Sequence, residues 1–270
     1  MSRRRGFSLI ELLIVLVIVA LLIGILLPVL GRSRSTAKAV VCLSNVRQLV
    51  TANLAYAADH REFLVRAAPT IFDFPDTDRW HGKRDSPLNA FDPRRGDLSP
   101  YFGESGAIKA CPAFVAGEDY IDDPLLAFEA GCGGYGYNKG YLGGRVDLFG
   151  EADAQSAQHS ARVSDITEPA ETVMFADAAY HSFGGQLIAY SFVEPVFWLN
   201  PAPWQPNPDP TIHFRHDRHA SVGWADGHAD SRKIAFTRDY ASGGFAAEGE
   251  LWQLGIGYFG PQSNRYFDLN

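Results

Sequence analysis

At 270 residues, with 46% apolar and 20% charged side chains, the chain can form one sizeable core plus a short additional segment. Its net charge of −7 is unevenly spread: residues 1–38 carry six basic side chains and one acid, leaving −12 for the body. So acidic a body excludes nucleic-acid binding, which needs a basic stripe, and disfavours docking on anionic lipid.

The first element is residues 3–30, RRRGFSLIELLIVLVIVALLIGILLPVL. From Leu12 to Leu30 there are 19 residues without a charge, enough at about 1.5 Å per helical residue to cross a hydrocarbon core of roughly 30 Å. Glu11 is the odd residue at the mouth of this run, because a carboxylate there costs on the order of 2.5–3.5 kcal/mol and usually signals a partner. If the chain is cut between Gly6 and Phe7, the new α-amine sits one helical turn from Glu11. The two charges can then pair, within one subunit or between neighbours. Uncut, Glu11 has only Arg3, Arg4 and Arg5 nearby, which can snorkel to the interface. Two plainer readings compete. A general secretory signal needs an apolar region of about 7–15 residues and a small-x-small site; Ala37-Lys38-Ala39 supplies the site, but the apolar run is too long and Glu11 has no role. A single-pass anchor also leaves Glu11 unexplained. Charge bias does not decide orientation, since Arg32, Arg34 and Lys38 stand opposite the leader arginines.

The pattern Arg3-Arg4-Arg5-Gly6, Phe7, Ser8-Leu9-Ile10, Glu11-Leu12 resembles the class III signal of type IV prepilins and type II secretion pseudopilins. In that family a basic leader ends in glycine, an aromatic follows, and glutamate stands fifth in the mature chain. Pro28 falls where many pilin helices carry a proline. The resemblance implies cleavage after Gly6 by prepilin peptidase, N-methylation of Phe7 and packing of the helix into a filament core with other pilin or pseudopilin subunits. It also places the N-terminus in the cytoplasm, the span in a bacterial inner membrane and the body outside it.

After Pro28 the helical period continues. Val40, Leu43, Val46, Val50, Leu54 and Ala57 recur three and four apart, with Arg47, Gln48 and Asn53 elsewhere on the wheel. One helix from Phe7 to Asp59 would be roughly 80 Å long. Residues 59–105 are rich in proline and aspartate and read as loops, with a short helix starting near Leu98–Phe102. Asp73, Asp76 and Asp78 cluster there, as do Asp119, Asp122 and Asp123 further on; neither cluster has EF-hand spacing, and both read as solvated acidic loops. Trp80, Trp198 and Trp204 lie in loops and read as exposed aromatics suited to an alternative role, a membrane-anchored module binding polysaccharide or export substrates.

Three cysteines are present, Cys42, Cys111 and Cys132. In an oxidising compartment, Cys111 and Cys132 can bridge across a glycine-rich stretch, contributing about 3 kcal/mol, with Cys42 as a packed or spare thiol on the helix. Residues 131–144 read as a loop or edge strand with close backbone packing. Their formal match to a dinucleotide fingerprint lacks the preceding strand and following helix that phosphate binding requires.

Glu171–Ala176 is a short apolar run between Pro169 and Asp177 and predicts a buried strand; 186–192 and 196–199 are weaker candidates. Residues 211–236 carry the second informative motif. Ser221–Ala225 alternates, Asp226-Gly227 is a two-residue turn signal, and His228–Ser231 returns, predicting a β-hairpin. His216 precedes Asp226-Gly227 by nine residues, which resembles the His-x9-Asp-Gly element of prepilin-type processing-associated proteins of planctomycete-like bacteria. Cys111-Pro112 and Pro169-x-Glu171-Thr172-Val173 match further features of those proteins. His216, His219, Asp226 and His228 are suitable ligands for zinc or another divalent metal. The plainer reading is structural, with Asp226 capping turn amides and His216 bonding Asp226 or the turn. No nucleophile elbow, HExxH or paired-acid motif supports an enzyme, and no cofactor is expected. The expected fold is α+β: a leader at 1–6, a transmembrane helix at 7–30, its amphipathic continuation at 31–59, and a pilin-like head at 60–270 built on an antiparallel sheet.

Overall fold

A computed structural model describes residues 9–103, 106, 108–114, 129–150, 153–181, 187–198, 205–206, 210–238 and 249–269. Gly6, Phe7, the aspartates at 119, 122 and 123, Trp204 and most of the proline-rich stretch 200–210 lie outside them.

The sequence period is realised as one continuous helix, α1, Leu9–Asp59, running through Pro28. At 51 residues it is roughly 75 Å long. Its two halves differ in environment. Every side chain from Leu9 to Lys38 is exposed, whereas Cys42, Asn45, Val46, Leu49, Val50, Ala52, Asn53 and Ala57 are buried against the head. The buried stripe starts at Cys42 rather than Val40, which is 62% exposed. Asn53, expected off the stripe, is fully buried: its Oδ1 accepts from the Val65 amide at 2.9 Å, so the helix holds the chain that leaves it.

The head is an α+β body on a five-stranded sheet, as expected. Its strands are β1 (Tyr135–Asn138), β2 (Val173–Asp177), β3 (Phe192–Val193), β4 (His219–Trp224) and β5 (Ala229–Lys233), in the order β5-β4-β2-β1-β3. Three pairings are antiparallel, but β1 and β3 run parallel. The glycine-rich run therefore yields an interior strand, not an edge. Close packing is the reason: a Cβ on Gly136 would lie 2.6 Å from the Phe192 carbonyl.

α1 lies against β4 and β2. Gly223 in β4 sets how near it comes, since a Cβ there would meet Val50 at 2.5 Å and Val46 at 2.7 Å. Asn45 adds a buried polar tie, donating to the Tyr135 hydroxyl at 3.0 Å. On the same face of the sheet as α1, Trp80, Tyr137 and Phe175 form an aromatic cluster with ring centres 4.7–6.2 Å apart. Trp80 is thus a core residue with its indole N–H donated to the Ser191 carbonyl at 2.7 Å, which corrects its reading as an exposed binding aromatic.

Asp76 also departs from expectation. It belongs to an ionic network rather than a solvated loop, pairing with Arg79 and Arg84. Arg79 in turn meets the fully buried Glu129 at 2.9 Å, and the Ser191 hydroxyl donates to the same carboxylate. Burial by itself would raise the Glu129 carboxyl, but the Arg79 guanidinium and the His81 contact outweigh it and hold the group at about 2.

Candidate functional site

Two regions carry the sequence motifs, the exposed half of α1 and the hairpin with its surroundings. At the start of α1, Glu11 stands in the first turn and is exposed. A carboxylate there is favoured by the unsatisfied amides and positive dipole end of a helix N-terminus. This region is the one described helix long and apolar enough to cross a membrane, with none of its apolar window buried.

The hairpin forms as predicted, with Gly223 opposite Ala229 and Ser221 opposite Ser231. Its loop is one residue longer than a two-residue turn: the Gly227 amide donates to the Trp224 carbonyl, the Trp224 amide to that of His228, and Gly227 takes φ +101°. This is a three-residue loop with glycine in the left-handed position. Asp226 Oδ1 accepts from the His228 amide at 3.0 Å and contacts His228 Nδ1 at 2.6 Å.

His216 does not join them. The nine-residue spacing is the length of β4 plus a turn at each end, and six extended residues span roughly 20 Å. His219 sits at the far end of β4 with its Nδ1 on the Asp217 carbonyl, while Asp226 and His228 share the opposite turn. The proposed set His216, His219, Asp226 and His228 is therefore corrected: a strand separates its members.

His216 instead turns into the head. Its Nε2 lies 3.3 Å from Asp177 Oδ2 and 3.7 Å from Cys111 Sγ. Cys111 is bonded to Cys42 of α1. The expected Cys111–Cys132 bridge is thus overturned: Cys132 is the buried free thiol, and burial pushes it up to about 12. Cys42 is the first buried residue of α1, so the bridge staples spine to head at the point where the helix reaches the body.

Asp177 was missed by sequence reasoning as a site residue. The available signal was its place as an acid ending an apolar strand. It is fully buried; Oδ2 accepts from the Ser221 amide at 2.6 Å, while Oδ1 has no hydrogen-bond donor among the described residues. Arg215 is close in charge to it and is anchored by donating to the Gly134 and Ala178 carbonyls at 2.9 and 2.7 Å.

No curated protein and no solved structure matches the chain. Residues 1–27 match the family model of the prokaryotic N-terminal methylation motif. This segment contains the Gly6, Phe7 and Glu11 positions read from the sequence and supports a type IV pilin-like protein.

Proposed function

We propose that the chain is a prepilin-like structural subunit, cleaved after Gly6 by prepilin peptidase, N-methylated at Phe7, and assembled with other pilin or pseudopilin subunits into a filament. The single observation that carries this reading is the methylation motif at residues 1–27 leading directly into a helix whose first 30 described residues the head leaves bare. An apolar helical face of that length has two favourable environments, lipid before assembly and the packed helices of a filament after it. The head then remains outside the inner membrane while the basic leader stays inside.

Glu11 is the assembly residue. Cleavage creates a positive amine at Phe7, one turn away, and the carboxylate neutralises that charge where it enters an apolar filament core. In a host carrying a complete assembly system, Glu11→Ala is expected to be cleaved normally and to stay in the membrane fraction, while the wild-type chain appears in sheared filaments. Equal recovery of both chains in sheared filaments would remove that role. The alternative of a membrane-anchored binding module rested on exposed tryptophans, and Trp80 is core.

A further inference from the structure

Cys42, Cys111, Asp177 and His216 each present one ligand-type atom to a common point: two sulfurs, a carboxylate oxygen and a ring nitrogen, all within 4.8 Å of one another. All four residues are buried. They arrive from four separate parts of the fold, namely α1, the loop after Lys109, the end of β2 and the turn before β4.

Three observations point to a ligand. First, a tetrahedral zinc with bonds of about 2.3 Å to sulfur and 2.0–2.1 Å to nitrogen or oxygen needs ligand atoms roughly 3.3–3.8 Å apart. The His216–Asp177 and His216–Cys111 separations are 3.3 and 3.7 Å. Secondly, Asp177 keeps a fully buried carboxylate oxygen with no donor among the described residues, a cost that a cation would relieve. Its other oxygen, Oδ2, lies 3.3 Å from His216 Nε2 and accepts from the Ser221 amide, which fixes the orientation of the carboxylate in the site. Thirdly, two thiolates and a carboxylate around a divalent ion leave one negative charge, and the half-buried Arg215 supplies the opposite one nearby.

We propose that these four side chains form a redox-gated site for a thiophilic divalent cation of the zinc class. With the two sulfurs joined, the site is a covalent staple. A dithiol reductant supplies two electrons and two protons and becomes a disulfide itself, the Cys42–Cys111 S–S bond breaks, and two thiols form. Zinc then binds two thiolate sulfurs, His216 Nε2 and a carboxylate oxygen of Asp177, releasing both thiol protons. Spine and head stay joined in either state, by a disulfide or through the metal. This goes beyond the filament role and is independent of it, since the site lies wholly in the head and its junction with α1.

The test uses full-length protein in detergent, reduced anaerobically, freed of reductant and titrated with Co2+ as the spectroscopic probe. Thiolate-to-cobalt charge-transfer and tetrahedral visible bands saturating at one equivalent are expected, abolished by excess Zn2+ and absent from the oxidised protein. His216→Ala and Asp177→Asn should each weaken Co2+ binding at least tenfold, on the scale seen when metal-site residues are removed, and His219→Ala and His228→Ala should leave it unchanged. Less than a tenth of an equivalent bound by the reduced wild-type chain would overturn the proposal without recourse to any variant. So would bands of undiminished affinity in folded His216→Ala.

Discussion

Glu129 is buried beside Arg79 and His81, and its carboxyl is held at about 2 against an ordinary 4.5. A depressed carboxyl contributes stability that is present above about pH 4.5 and is lost as the pH falls toward 2. His81 and His213 act earlier. Burial lowers both below 6.5, so beneath that pH the unfolded chain takes up protons that the fold excludes. Thermal midpoints of the detergent-solubilised chain should therefore fall from pH 7 to 5 and fall further below 4.5; a flat profile from 7 to 3 would contradict this. Glu129→Gln should cost on the order of 3 kcal/mol at neutral pH, because it removes one partner of a buried charge, and should make the lower part of the fall shallower. None of this was legible in the sequence. Arg79 and Glu129 are 50 positions apart in the chain, and only the tertiary fold makes them partners.

At the scale of elements, the helix and the hairpin were legible because each has a local period. Three-and-four spacing of apolar residues carried α1 to Asp59, and alternation around Asp226-Gly227 carried β4 and β5. What sequence could not show was contact across elements. Gly223 looked like an ordinary strand residue, yet it is the gap into which Val46 and Val50 pack. Gly223→Ala is expected to push α1 off the sheet and cost about 1–3 kcal/mol by overpacking, read as a lower chemical-denaturation midpoint. An unchanged midpoint would mean that the helix yields freely. The staple was misread for a related reason. Cys42 and Cys111 are 69 residues apart and one is helical, so a local pairing of Cys111 with Cys132 looked simpler. Closing the longer loop is worth about 4 kcal/mol in the chain-entropy picture, a shift on the order of 10 °C for a head of this size. Cys42→Ser in metal-free buffer should show that loss, and Cys132→Ser should leave the cross-link in place. Retention of the cross-linked electrophoretic mobility in Cys42→Ser would instead point to a bridge made by Cys132.

The whole molecule divides its labour along α1. Its N-terminal half is apolar and bare, its C-terminal half is a core element of the head, and Cys42 marks the change. The head carries the acidic charge and the buried clusters, and basic residues flank the apolar run, Arg3 to Arg5 before it and Arg32, Arg34 and Lys38 after it. Under the proposed function, the molecule is cut at the leader and carried into a filament by that bare half. The measurement that tests this most directly is the mass of the N-terminal peptide after co-expression with a prepilin peptidase. Loss of residues 1–6 with one methyl group on the amine of Phe7 is the expected result; an uncut N-terminus, or a cut after Ala39, would contradict it.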